Sequence, residues 1–376
     1  MSTRQYALPI DETKWILPGH QTDVVFNWEY DEGRDRMLSL YEQGKNKQWN
    51  AAQRIDWSID VDLTDQRTSP DWQMPIFGSD LWKKMSRADK DRLRHHVGAW
   101  MFSQFLHGEQ GALICAAKIV ETVPDIDSKF YAATQVIDEA RHVEAYARFL
   151  NTKLELAYPI NPHLRALLDQ TITDSRWDFT YLGMQVMIEG VALGAFGMIR
   201  DLAQEPLAKS LNAYVMADEA RHVAFGIAAL HDAYRDLTQA ERDEREEFVV
   251  EASWLLRNRF MAQEVWENLG LPVDECMSYV DQSLAMNEYR KRLFARIVPN
   301  LKKIGLWGPK IQATFLEMGV LEYQDLDPDE LSADDERVAE ELERILAKRR
   351  ETGRLEGTDA DTRVGQIADT IAAAEA

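Results

Sequence analysis

The chain has 376 residues, enough for one large domain or two, and its 45% hydrophobic content with 11 Trp, 12 Tyr and 13 Phe supplies a sizeable core. A formal net charge of −21 without any basic stripe argues against nucleic acid and anionic membrane surfaces as partners. Cys115 and Cys276 make no disulfide or metal spacing pattern, and neither the N-terminus nor any window of about 18 residues is uncharged and apolar, so the expectation is a soluble protein of the reducing cytoplasm with no membrane contact.

Residues 1–85 carry few regular signals beyond one helix near 32–46, and Trp57, Pro70, Trp72 and Pro75 predict an ordered arm wrapped on the core. From residue 86 the chain reads as helices. Ser86 and Asp89 make a capping box, and an apolar rhythm then runs to Val123, where Pro124 stops it. Asp127 or Ser128 opens a second helix that continues to about Leu156, and Tyr158–Pro162 breaks the chain before a short helical turn. Asp174 or Ser175 opens a third helix ending near Pro206, and a fourth runs from there to about Leu237. Thr238 and Glu241 cap a fifth, closed by Gly270 and Pro272. Further helices, broken by Pro299, Gly305 and Gly308, buttress the rest to about residue 350, and 351–376 reads as an acidic, partly mobile tail. Four helices of roughly 30 residues, each about 45 Å long, form two antiparallel hairpins joined by a crossover at 157–174. The predicted fold is all-α: a four-helix bundle over 86–237, with the arm before it and the buttress after it.

The chemistry lies in a repeat. Residues 138–142 read Asp-Glu-Ala-Arg-His, and residues 218–222 repeat the same five letters. Glu109 precedes Glu139 by the same interval at which Glu189 precedes Glu219. On a helix, Glu-x-x-His presents a carboxylate and an imidazole on one face, about a turn apart. Two such pairs and two single glutamates, one on each of four helices, make six inward ligands for a pair of metal ions. A lone Glu-x-x-His is common on charged helix faces, and a duplicated salt-bridging hairpin would also repeat the pentapeptide. Neither explains a glutamate inside each apolar stretch: Phe102, Phe105, Leu106, Ala112 and Leu113 surround Glu109, and Leu182, Met184, Val186, Ile188 and Leu193 surround Glu189. Burying such a carboxylate unpaired is costly, and two divalent cations cancel the four negative charges.

This constellation resembles the ferritin-like superfamily in its di-iron oxygenase and ribonucleotide reductase small-subunit branch, closely over residues 86–237. The resemblance implies that Glu109, Glu139 and His142 bind one metal and Glu189, Glu219 and His222 the other, with carboxylates bridging. It further implies that Asp138 and Asp218 anchor the ligating histidines, a role a metal-bound imidazole needs, while Arg141 and Arg221 are in reach to pair with those aspartates. The doubled pentapeptide is similar to that of the bacterial multicomponent monooxygenase hydroxylases, as is Gly108-Glu109 with Ala112, which implies a substrate pocket at Phe105, Gly108, Ala112 and Leu193. Leu193 stands where those enzymes carry a threonine. Tyr146, four residues after His142, holds the place of the radical tyrosine of ribonucleotide reductase small subunits, or is a core tyrosine hydrogen-bonded to a ligand carboxylate. The p-aminobenzoate N-oxygenase family adds a metal-binding histidine one turn before its last Glu-x-x-His; Val215 occupies that place, so this reading leaves the chain outside that family.

Three functions follow from the resemblance: an oxygenase activating dioxygen at two iron ions, or a Mn/Fe pair, to oxidise a small organic substrate; a radical-generating subunit using Tyr146; or an iron-storage protein, which would need little beyond one bundle. The first calls for an external electron donor, a ferredoxin or reductase, since the chain has no cysteine cluster. A homodimer is the superfamily's expectation.

Overall fold

The computed structural model describes residues 35–66, 69–352 and 362–374, and among these it is helical without a β-strand. The first helix, α1 (Asp35–Asn46), lies close to where the arm was expected to carry one. Four long helices follow: α2 (Arg87–Thr122), α3 (Ile126–Phe149), α4 (Trp177–Leu202) and α5 (Pro206–Ala233).

Local chemistry sets their ends. The Ser86–Asp89 capping box forms, and Val123 turns extended ahead of Pro124 as its steric restriction requires. Asp125, two residues earlier than expected, caps α3 by accepting from the Ser128 amide at 2.8 Å. Pro206 opens α5 at a position where a missing N–H costs nothing, and the Glu205 carboxylate accepts from the Leu207 and Ala208 amides. The third bundle helix starts at Trp177, because Asp174 instead ends the crossover helix Pro162–Thr173.

α2 packs along α3 and α4 along α5, while α1 lies across α3 and α5. Over Leu182–Ile188, α4 widens into a π-helical turn that ends at Glu189, a distortion common at functional sites. Gly111 lets the crossover helix approach, since a Cβ there would stand 2.4 Å from Leu168 Cδ2. By length and composition α4 could cross a membrane, with a mean hydropathy of 1.6, but 72% of that stretch is buried within the protein and Glu189 lies in its middle.

Two elements differ from the sequence reading. The helix opened by Thr238, α6 (Gln239–Asn258), stops at Asn258 and not at Gly270. The chain breaks through Arg259–Met261 and a left-handed Ala262 (φ 53°) before a new helix at Gln263–Leu269, with neither glycine nor proline to signal it. In the tail, α8 (Arg363–Ala374), which follows α7 (Pro328–Thr352), is a helix that the composition did not signal, while 353–361 lie outside the described residues. Its Val364, Ile367 and Ala368 pack with Val338, Leu342, Ile345 and Leu346 of α7 and Ala213 of α5.

Candidate metal centre

Glu109 of α2, Glu139 and His142 of α3, Glu189 of α4, and Glu219 and His222 of α5 meet in the middle of the bundle, all buried. They form two overlapping groups. Glu109, Glu139, His142 and Glu219 each offer a donor atom within 4.8 Å of the others, and so do Glu139, Glu189, Glu219 and His222. Glu139 and Glu219 belong to both groups, and Glu109 and Glu189 to one each. Which carboxylates are shared was left open by the spacing.

These residues suit a dinuclear metal centre on the chemistry of their donor atoms. Glu189 Oε2 is buried without a hydrogen-bond partner, and Glu139 Oε2, both Glu219 oxygens and His222 Nδ1 are buried with no well-aligned hydrogen bond. Such atoms are costly to bury unless something else satisfies them. Four carboxylates and two imidazoles around two divalent cations are electrically neutral and chemically apt for iron or manganese.

The histidines are oriented from behind, and crosswise. His142 turns Nδ1 to Glu109, Glu139 and Glu219 at 3.1–3.3 Å, while Nε2 meets Asp218 Oδ2 at 3.1 Å. His222 turns Nδ1 to Glu139 at 3.1 Å and Nε2 to Asp138 Oδ2 at 3.2 Å. Each aspartate therefore anchors the Nε2–H of the other pentapeptide's histidine and turns its Nδ1 toward the glutamates. The salt-bridge reading holds at the same time: Arg141 donates to Asp138 and to Asp218 (2.8 Å), and Arg221 donates to Asp218. Asp218→Asn is expected to keep the fold and weaken metal binding by about 10- to 100-fold; unchanged affinity in a metal titration would reduce Asp218 to a structural ion pair.

Burial and the crowding of charges together set the protonation of the metal-free cluster. It is the largest influence on Glu109 and Glu189, pushing both carboxyls well above their usual range, with the Glu219 charge adding to it. Burial opposes charging of His142 and His222, but the surrounding carboxylates outweigh it and hold both imidazoles protonated well above their ordinary value. Those imidazolium charges in turn hold Glu139 low against its own burial. Groups with raised values bind protons in the folded state, so their contribution to the metal-free fold is present at low pH and is lost as pH rises through those values. Metals must displace these protons. Ferrous affinity is expected to rise with pH, with proton release on loading; a flat pH profile in a weakly buffered titration would contradict this.

Several residues around the cluster escaped the sequence reading. Gln135 donates to both Glu139 Oε1 and Glu189 Oε1 at 3.0 Å; it lies one turn before Glu139 on the inward stripe, so helical spacing could have found it. Gln48 donates to Asp138 (2.7 Å) and Trp49 to Asp218 (2.8 Å), tying the arm to both aspartates without any local signal. Tyr146 is fully buried near the cluster, 5.8 Å ring to ring from Phe105, but its hydroxyl donates to Asn212 Oδ1 at 3.0 Å and not to a ligand carboxylate. Glu144 is exposed, and His107 Nε2 meets the Tyr158 carbonyl at 2.9 Å, so both face away as their phase predicts.

Beside the cluster a narrow cavity reaches Glu109, Glu189 and Glu219. Phe105, Gly108 and Ala112 line it as expected, and a Cβ on Gly108 would meet nothing within 4 Å. Leu193 does not line it. The π-turn and α4 instead present Met184, Ile188, Ala192 and Phe196, and Arg259 joins from the break after α6.

A family model described as p-aminobenzoate N-oxygenase AurF matches residues 31–305, more than half of the chain and the whole of the bundle. The protein belongs to the AurF family. This overturns the exclusion drawn from Val215: the match rests on 31–305 as a whole, and in this member the position is a fully buried apolar side chain while six other residues complete both four-residue groups. AurF-family membership and the buried cluster make the protein an oxygen-dependent oxidoreductase of the di-iron kind acting on an organic substrate. No curated protein matches the sequence. Among solved structures, an R2-like ligand-binding oxidase with aerobically reconstituted Mn/Fe cofactor is similar at 18% identity and TM-score 0.40, covering 70% of this chain and 93% of that one. A variant with anaerobically reconstituted Mn/Fe cofactor is similar at 16% and 0.44, covering 74% and 96%.

Proposed function

We propose that Glu109, Glu139, His142, Glu189, Glu219 and His222 hold two iron ions, and that the protein is a monooxygenase that inserts one atom of dioxygen into a small organic molecule in the adjacent cavity. The observation that carries this is the convergence of six buried donors, several lacking a well-aligned hydrogen bond, beside a cavity that reaches three of them. When bound, the metal pair would supply the redox chemistry that activates dioxygen. The same donor set accepts manganese in one position, so a Mn/Fe pair remains within the reading.

The chain's own residues bind, orient and exclude. Asp138 and Asp218 anchor the imidazole Nε2–H groups, and Gln135 holds Glu139 and Glu189 together. Phe105, Ile188 and Phe196 give the cavity apolar walls, which suit the protection of a reactive oxidant. Inserting one oxygen atom and reducing the other to water consumes two electrons and two protons. The only cysteines, Cys115 and Cys276, are both buried and free, so the electrons come from a separate ferredoxin or reductase. A bundle domain at 86–237 flanked by an arm and a buttress, a homodimeric assembly and a cytoplasmic location belong to the same reading.

The radical-generating alternative turns on Tyr146. Its burial among Phe102, Phe105 and Phe196 and its bond to Asn212 give it a structural role, and burial pushes its phenol well above the usual range, so it stays neutral. Tyr146→Phe is expected to keep two metals and measurable oxygen consumption, at a stability cost of about 1 kcal/mol from the unpaired Asn212. Anaerobic ferrous loading, rapid mixing with oxygen, and optical and EPR detection test both readings. An organic radical in the wild type that vanishes in Tyr146→Phe together with all turnover would favour the radical subunit.

A further inference from the structure

We propose that Met184 is a modification site of the protein's own chemistry: when no substrate occupies the cavity, its sulfur receives one atom of dioxygen and becomes methionine sulfoxide. This rests on the monooxygenase reading above.

Helical spacing alone places Met184 away from the metal ligands. Residues five apart on a regular α-helix point about 140° away from each other, so Met184 and Glu189 would stand on different faces. The π-helical turn over Leu182–Ile188 removes that difference. The Glu189 amide donates to the Met184 carbonyl, five residues back, and residues bonded in this way share a face, as residues four apart do in an α-helix. Met184 and Glu189 accordingly line the same cavity, the one that also reaches Glu109 and Glu219. Met187 belongs to the same turn and is just as buried, yet it does not line the cavity. The turn thus brings one of two neighbouring methionines to the site.

A plainer account is that Met184 fills an irregular gap in the core, the common use of methionine. Packing explains Met184 and Met187 alike and gives no meaning to the difference between them. Chemistry separates them. The other apolar side chains around the cavity, among them Phe105, Ile188 and Phe196, offer only carbon and hydrogen, whereas a thioether sulfur is soft, polarizable and readily oxidised to the sulfoxide. The balance closes with what the proposed activity already uses. A sulfur–oxygen bond forms, the bond of dioxygen breaks, and the second oxygen atom leaves as water with two protons. Reducing dioxygen this far takes four electrons: the sulfur gives two, and two ferrous ions give the others. The product is polar where the thioether was apolar, so each chain reacts once and alters the wall of its own cavity.

The test loads the full chain with ferrous iron without air, desalts it, and admits dioxygen carrying the heavy oxygen isotope, with catalase present. Peptide mass spectrometry then locates the added oxygen. Met184 should carry the heavy atom, with at least about tenfold less at Met187. Met184→Leu should keep two irons per chain and gain no oxygen, and Glu219→Ala, which holds no iron tightly, should gain none either. Equal labelling of Met184 and Met187, an unlabelled Met184 in a chain that holds two irons, or a gain undiminished in Met184→Leu or Glu219→Ala overturns the proposal and leaves the metal centre standing. A wild-type chain that takes up no iron would instead refute the metal-centre reading and this proposal with it, which keeps the two failures apart.

Discussion

Glu219→Ala is expected to leave the protein with no tightly bound metal, whereas Glu144→Ala keeps both ions. Glu219 belongs to both four-residue groups, as does Glu139, so removing either carboxylate takes a donor and a unit of negative charge from both groups at once. Glu109 belongs to one group only, so Glu109→Ala should retain one ion better than the other. Metal content per chain after ferrous reconstitution and desalting gives the result. Lost metal must be told from lost fold, and here the electrostatics help. Without metal the Glu219 charge raises both Glu109 and Glu189, so it opposes their ionisation. Removing one of several crowded carboxylates relieves that repulsion but also takes a partner from His142 and His222, so the metal-free Glu219→Ala protein should keep a stability close to that of metal-free wild type. A variant emptied of metal but folded and undiminished in denaturant marks a ligand. Equal metal loss in Glu144→Ala would mean that the helical phase assigned to α3 is wrong.

Arg141→Ala should be among the most destabilising single changes outside the ligands, by about 3–5 kcal/mol. Arg141 is 6% exposed and bonds Asp138, Asp218 and Gln48 Oε1 (2.6 Å), with its guanidinium 4.8 Å from the Trp49 ring centre. One side chain thus joins both pentapeptides to the arm. Deleting it leaves Asp138 buried with only Gln48 and His222 and removes the charge that balances two aspartates, while Asp218 keeps Arg221. Arg141→Lys should recover little, since an ammonium cannot span three acceptors in a plane. Denaturant unfolding of the metal-free protein measures the loss; a change within about 0.5 kcal/mol would place Arg141 with ordinary surface residues.

How much of this was legible in sequence follows from the range of each interaction. The four helices, their caps at Ser86 and Thr238 and the inward phase of the six donors were readable, because capping and the 3.6-residue period act within a few residues. Gln135 and Asn212 lie on the same inward stripes as Glu139 and Glu219 and were within reach of that logic. The break at Arg259–Ala262 was not: it has no glycine or proline, and Ala262 is held left-handed by its surroundings. The tail helix α8 was missed because composition reports charge, whereas its order comes from a small apolar stripe meeting α5 and α7.

By itself, then, the sequence determined an all-helical bundle and the identity of its six inward donors, since spacing along a helix decides which side chains share a face. Only the tertiary structure decided which carboxylates are shared between the two groups, that each aspartate serves the other motif's histidine, that Gln48 and Trp49 reach in from the arm, and that Arg259 lines the cavity in place of Leu193. Those facts depend on how separate helices rotate and slide against one another, and that is fixed by packing between residues far apart in the chain, where no local period carries the information.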